Sequence, residues 1–234
     1  MNTSRREFIA MHGARIVGGA LIAEITVPEI VSAMARTVQV TEVSPNEDLM
    51  REHGLLNRVL LIYDDAAYTM KAGRDFPPDA LNGAAVIIKE FIEDYHEKLE
   101  EDFLFKRFEK ANSQTELVPV LRDQHDRGRK LTGFIIAHSN QPDLRDDSLK
   151  RDVIAHIDAF TRMYRPHESR EDTILFPAFK KLVSPHEYDA LGDDFENEEK
   201  KKFGNEGFES VLQRVESLEK QVGIYDLSRF TPTL

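Results

Sequence analysis

HEKLEEDFLF, residues 96–105, and HESREDTILF, residues 167–176, are two versions of one stretch set 71 positions apart. Both begin His-Glu, place a Glu four residues after the His, follow it with a second acid, and end Leu-Phe. At about 100° per residue, His96 and Glu100 lie about 40° apart around a helix and one turn apart along it. His167 and Glu171 stand in the same relation, so each stretch can aim one imidazole and one carboxylate at a common point. Leu99, Phe103, Met163 and Leu175 share those faces. An i,i+4 pair on a solvated surface is the plainer account, but Leu and Phe at fixed offsets put the faces partly inside. A bare carboxylate there is costly unless paired, protonated or bound to metal.

Working outward, helical patterns with readable ends surround both stretches. Ser44-Pro45-Asn46-Glu47 supplies a cap, a first-turn proline and a capping-box Glu for a helix that ends near Gly73. Phe76-Pro77-Pro78-Asp79 opens a second helix. Ser113 with Glu116 reads as the capping box of a third, running to about His138, and Ser139–Asp143 as a turn. A fourth runs from about Asp146 to Lys181, with Pro166 expected to kink it just before His167. Ser184-Pro185-His186-Glu187 opens a short further helix, and one more apolar stripe ends near Gly223. Strand signals are nearly absent. The expected fold is all-α, an up-down-up-down four-helix bundle over residues 36–183. Residues 184–234 form a C-terminal helical extension that packs on it, and the charge run at 193–202 reads as a solvated face.

Two further histidines join the pattern. His53 lies in the apolar stripe of the first helix, and His125 lies within the third. In an antiparallel bundle one His from each helix can meet at one level, giving four imidazoles and two carboxylates around one centre. Six ligands exceed what one tetrahedral zinc takes, but suit two ions of the iron or manganese type bridged by carboxylates. The chain has no Cys, which excludes disulfides, thiolate nucleophiles and iron–sulfur clusters. Its net charge of −11 repels phosphate backbones, so nucleic acid is not an expected partner. His-Glu-x-x-His, the zinc-protease arrangement, would need His where the chain has Glu100 and Glu171. His156 reads as structural, His138 and His186 as solvated, and Tyr164 as core packing within reach of the centre.

A His on helix one, His-x3-Glu on helix two, a His on helix three and His-x3-Glu on helix four resembles the hemerythrin-like proteins of the HHE cation-binding type. The positions here are His53, His96 with Glu100, His125, and His167 with Glu171, and the resemblance spans about residues 45–180. It implies a non-haem di-iron centre, two iron ions, with manganese or zinc ranked behind. It implies small-molecule partners: oxygen, peroxide or nitric oxide. Two departures matter. Oxygen-carrying members have a second His four residues after the one on helix three, where this chain has Arg129. They also use His-x4-Asp on helix four, a spacing that Asp172 meets as Glu171 meets His-x3-Glu. Helical geometry favours Glu171, because Asp172 lies about 140° round from His167. Losing one His leaves a coordination position open, which favours oxidase-type or sensing chemistry over reversible carriage. Metal storage or sensing without turnover is the alternative.

The first 35 residues differ from the rest. Ser4-Arg5-Arg6-Glu7-Phe8-Ile9, an uncharged run from Ile16 to Ala23, and Ala33-Met34-Ala35 make a basic start, a short apolar core and a small-residue end. This resembles a twin-arginine export signal cleaved after Ala35, which implies a periplasmic or exported protein. The apolar run is too short to span a bilayer, which needs about 20 residues, so no transmembrane segment is expected.

Overall fold

The computed structural model describes residues 43–233, so the proposed export signal at 1–35 lies outside the described residues. Every regular element among them is helical. They are α1 (Pro45–Lys71), α2 (78–110), α3 (Leu117–His138), the short α4 (Gln141–Arg145), α5 (147–182), α6 (Pro185–Phe203) and α7 (Gly207–Val222), with 3-10 turns at Gly204–Glu206 and Leu227–Phe230. No described helix is long and apolar enough to cross a membrane.

The ends follow the expected chemistry with one exception. Ser44 Oγ accepts the N–H of Glu47 and Pro45 occupies the first turn of α1, while Gly73, at φ 72°, lies just beyond its end. Asn140 and Asp146 cap α4 and α5 with their side chains, so the Ser139–Asp143 turn contains a helical turn of its own. The exception is α3. It starts at Leu117 with no side-chain cap, and Ser113 stays in the loop before it. The Ser113/Glu116 capping box therefore does not form.

Two long helices carry wide turns. In α2 the hydrogen bonding switches to the i→i+5 pattern at Ile88–His96 and again at Glu100–Phe105, and in α5 it does so at Glu171–Leu175. Such π-turns insert a residue without ending the helix and re-aim the side chains around them. Helical residues run through Pro166 without a break as far as Arg170, and the hydrogen-bond irregularity of α5 follows at Glu171–Leu175.

Helices α1 and α3 each pack along α5, and α2 packs against α1 and α3. Their shared interior holds Leu56, Leu60, Tyr63, Ile88, Phe91, Phe105, Leu121, Phe160 and Phe176, all at 1% exposure or less. The extension lies on α1 and α2. Arg58 of α1 grips the Glu219 carboxylate of α7, and Arg107 of α2 meets Glu187 of α6 at 2.9 Å. The charge run at 193–202 is not wholly solvated. Phe195 is buried, and Glu199, 3% exposed, turns inward to accept the Phe208 N–H at 2.7 Å at the start of α7.

Candidate metal centre

His53, His96, Glu100, His125, His167 and Glu171 converge in the interior, none more than 4% exposed. The four imidazoles meet through their Nε2 atoms in two pairs. His53 faces His96 at 3.0 Å and His125 faces His167 at 3.2 Å. The two carboxylates tie the pairs together. Glu100 reaches 3.6 Å from His96 Nε2 with one oxygen and 3.5 Å from His125 Nε2 with the other. Glu171 Oε2 lies 3.5 Å from His53 Nε2 and 3.1 Å from His167 Nε2. Each carboxylate thus touches one imidazole of each pair.

The outer ring nitrogens fix the tautomers. His53 Nδ1–H donates to Asp172 at 2.8 Å, His96 Nδ1–H to Glu52 at 2.7 Å, His125 Nδ1–H to Glu101 at 3.1 Å, and His167 Nδ1–H to the Gln124 amide oxygen at 2.8 Å. A carboxylate has no proton to give, so the Nδ1 atoms carry it, and a ring that is neutral turns its Nε2 lone pair inward. Facing lone pairs repel unless a cation sits among them. Glu100 and Glu171 reinforce the point, because none of their four oxygens has a hydrogen-bond partner. Imidazole and carboxylate donors at these separations fit first-row metal ions. Glu100, His125, His167 and Glu171 form one group with ligand atoms within 4.8 Å of one another, and His53, His96 and Glu100 form another.

Protons show the same demand for positive charge. Burial pulls the His53 imidazole down, but its bond to Asp172 and the charge of Glu171 outweigh that and raise its pKa. Burial, aided by the charge of His53, pushes His96 well below the ordinary range. Burial and the neighbouring Glu171 carry Glu100 far up, whereas Glu171 overcomes its own burial through His167 and moves down. Without a cation, one carboxyl of the pair keeps a proton.

The repeat that opened the sequence has a structural meaning at its last residue. Phe105 stacks on the His125 ring at 5.4 Å and Phe176 on the His53 ring at 5.5 Å, so each repeat covers an imidazole from another helix. The second acids of the repeats, Glu101 and Asp172, are the outer partners of those same two imidazoles. Asp172 therefore serves His53 from outside, and Glu171 is the acid that points inward.

Arg129 turns away from the centre. Its guanidinium donates to Glu97 at 2.7 Å, Glu101 at 2.5 Å and Asp126 at 3.1 Å. Glu97, with its pKa carried up to about 7 by burial, also accepts the Tyr164 hydroxyl at 2.6 Å. Tyr164 thus bonds to a carboxylate beside His96 rather than serving as packing alone. The remaining histidines among the described residues stay away: His156 stacks on Phe134 at 3.7 Å, His138 bonds Asp143, and His186 is exposed. The outer partners Glu52 and Gln124 went unread in the sequence. Each is adjacent to a candidate ligand, Glu52 before His53 and Gln124 before His125, yet serves the imidazole of a different helix.

Helices that turn His and Glu inward to a buried ring of open donor atoms define a cation-binding helical protein. The family comparison agrees: residues 44–178 match the model of the hemerythrin HHE cation binding domain, and the chain belongs to that family. It is 44% identical over 195 residues to the uncharacterized proteins Mb2018 of Mycobacterium bovis and Rv1995 of Mycobacterium tuberculosis, an alignment covering 83% of this chain and 76% of each relative. No solved structure matches.

Proposed function

We propose that this protein is an exported hemerythrin-like four-helix bundle whose centre holds two iron ions and binds or reacts with oxygen, peroxide or nitric oxide. One observation carries the two-ion reading: Glu100 and Glu171 each stand within 3.6 Å of an imidazole from both histidine pairs. A single ion would leave one pair of inward lone pairs unused. Two ions would give all four imidazoles and both carboxylates a partner. His53 and His96 would hold one ion, His125 and His167 the other, with Glu100 and Glu171 between them. Iron bound there would supply electron exchange with small oxygen- and nitrogen-containing molecules.

The chain's own residues do the rest. The Nδ1–H bonds to Asp172, Glu52, Glu101 and Gln124 keep the rings oriented, and Phe105 and Phe176 exclude water from two of them. Arg129, engaged with Glu97 and Glu101, offers no ligand to the centre. The second reading, iron storage or sensing without turnover, draws on the near-complete burial of the six residues. Export rests on the twin-arginine-like segment at residues 1–35 and is tested by recovering the protein outside the cytoplasm without them.

The deciding experiment is metal content per chain on protein purified without oxygen, beside the His96→Ala and His167→Ala variants. Two irons per chain, lost in both variants, is the expected result. One zinc, or no metal with the variants merely less stable, would sink the di-iron reading. Absorbance changes on adding oxygen, peroxide or nitric oxide then separate reaction from storage.

A further inference from the structure

Behind His125 lies a group of donors that the inner ring does not use. His125 Nδ1, Glu97 and Glu101 each offer one atom, all within 4.8 Å of one another, and the three side chains are at 10% exposure or less. Their separations suit a cation. Glu101 Oε1 stands 3.1 Å from His125 Nδ1, and Glu97 Oε2 stands 4.0 Å from it. Oxygen and nitrogen ligands held about 2.0–2.2 Å from a first-row ion are themselves about 3–4 Å apart. Two buried carboxylates side by side also demand positive charge, because leaving them uncompensated is strongly destabilising.

The chain supplies that charge itself. One nitrogen of Arg129, Nη2, lies 2.7 Å from Glu97 Oε2 and 2.5 Å from Glu101 Oε1, the same two oxygens. A single cationic atom thus bridges both carboxylates where an ion would. The remaining oxygens are engaged as well: the Tyr164 hydroxyl donates to Glu97 Oε1 at 2.6 Å, and Lys98 donates to Glu101 Oε2 at 2.5 Å. Nη1 of Arg129 donates to Asp126 at 3.1 Å, which anchors the guanidinium on its own helix. Arg129 is also the most exposed member of the group, at 23%, so it closes the solvent side. A guanidinium keeps its charge at any ordinary pH and cannot diffuse away, so its place is filled whatever the metal supply.

His125 gives this arrangement its consequence. An ion bound at Nδ1 would replace the proton that Glu101 accepts, and would tie the ring to an outer cation while Nε2 faces the inner donors. We propose that Arg129 is a specificity-determining residue: its guanidinium takes the place of a further metal ion on Glu97, Glu101 and His125, which confines cations to the inner ring and keeps His125 for it. What the inner ring holds rests on the metal reading above; the occupation of the outer group by Arg129 does not.

The test counts cobalt(II) bound per full-length chain by equilibrium dialysis, in the parent, Arg129→Ala, Arg129→Lys, and Arg129→Ala combined with Glu97→Gln. Arg129→Ala should bind one cobalt ion more than the parent. Arg129→Lys, which restores a tethered cation, should return to the parent count, and so should the double variant, which loses a carboxylate. An arginine that only braces the helices would lower stability without changing the count, so equal counts in the parent and Arg129→Ala overturn the proposal. If Arg129→Ala does not fold unaided, refolding from urea gives the same reading: cobalt should restore the helical signal of Arg129→Ala more than that of the double variant, and an equal effect on both overturns the proposal. The parent's own count keeps the two readings apart. No cobalt in the parent and one in Arg129→Ala would count against the inner centre and support the role of Arg129, whereas a filled inner ring with no gain in Arg129→Ala would do the reverse.

Discussion

Replacing Gly128 by Ala should destabilise this protein, against the usual rule for helices. Gly128 lies inside α3, where Ala is favoured over Gly by about 1 kcal/mol. But a Cβ built there would stand 2.1 Å from the Tyr164 hydroxyl and 2.8 Å from Cζ. The ring cannot swing aside freely: it is 1% exposed, stacks on Phe160 at 4.1 Å, and its hydroxyl is bonded to Glu97. Crowding of this kind costs about 1–3 kcal/mol, and loss of the bond to a buried acceptor about 1–3 more. After subtracting the helix gain, Gly128→Ala should lose about 1–5 kcal/mol in urea unfolding of the metal-free chain. In a Tyr164→Leu background, which removes the obstructing hydroxyl, most of that loss should vanish. A Gly128→Ala variant as stable as the parent, or more so, would refute the close packing of Tyr164 on α3.

Three other outcomes follow from the same geometry. Glu171→Gln should abolish metal binding, while Asp172→Asn should keep the stoichiometry and weaken affinity about 10–100-fold, as measured by metal titration; equal losses would remove the distinction between inner and outer acid. Burial raises Glu97 and Glu168 from 4.5 to about 7, so the folded state holds their protons more tightly than the unfolded chain does. Stability of the metal-free protein should therefore fall as pH rises from about 4.5 through about 7, by up to about 3 kcal/mol per group, and Glu97→Gln should flatten the slope; a rise over that range would contradict it. Iron(II) at a hundredfold excess over its Kd should add about 2.7 kcal/mol to unfolding stability and a chelator should remove it, whereas a melting temperature indifferent to both would argue against a site in the native state.

The helical pattern and the convergence of six side chains were legible because both are matters of spacing. His-x3-Glu fixes a shared face whatever the rest of the helix does, and Ser44, Ser184 and Gly73 mark ends through purely local chemistry. The π-turns at 88–96, 100–105 and 171–175 were not legible, since they come from a shift of backbone hydrogen-bond partner that no side chain announces. Pro166 removes one N–H, yet helical residues continue through it to Arg170. Ser113 failed as a cap because the chain leaves the loop one turn later than its spacing suggests. Pairings such as Glu52 with His96 or Gln124 with His167 join different helices, so no window of sequence contains them.

The outer partners of the four imidazoles also make the ring lopsided. His53 and His96 both lean on carboxylates, Asp172 and Glu52, which push electron density into the rings. His167 leans on the neutral Gln124 amide, and Glu101 behind His125 is shared with the guanidinium of Arg129 and the ammonium of Lys98. One half of the ring is thus the stronger donor. A cation held there would be drawn more strongly to the His53/His96 side than to the His125/His167 side.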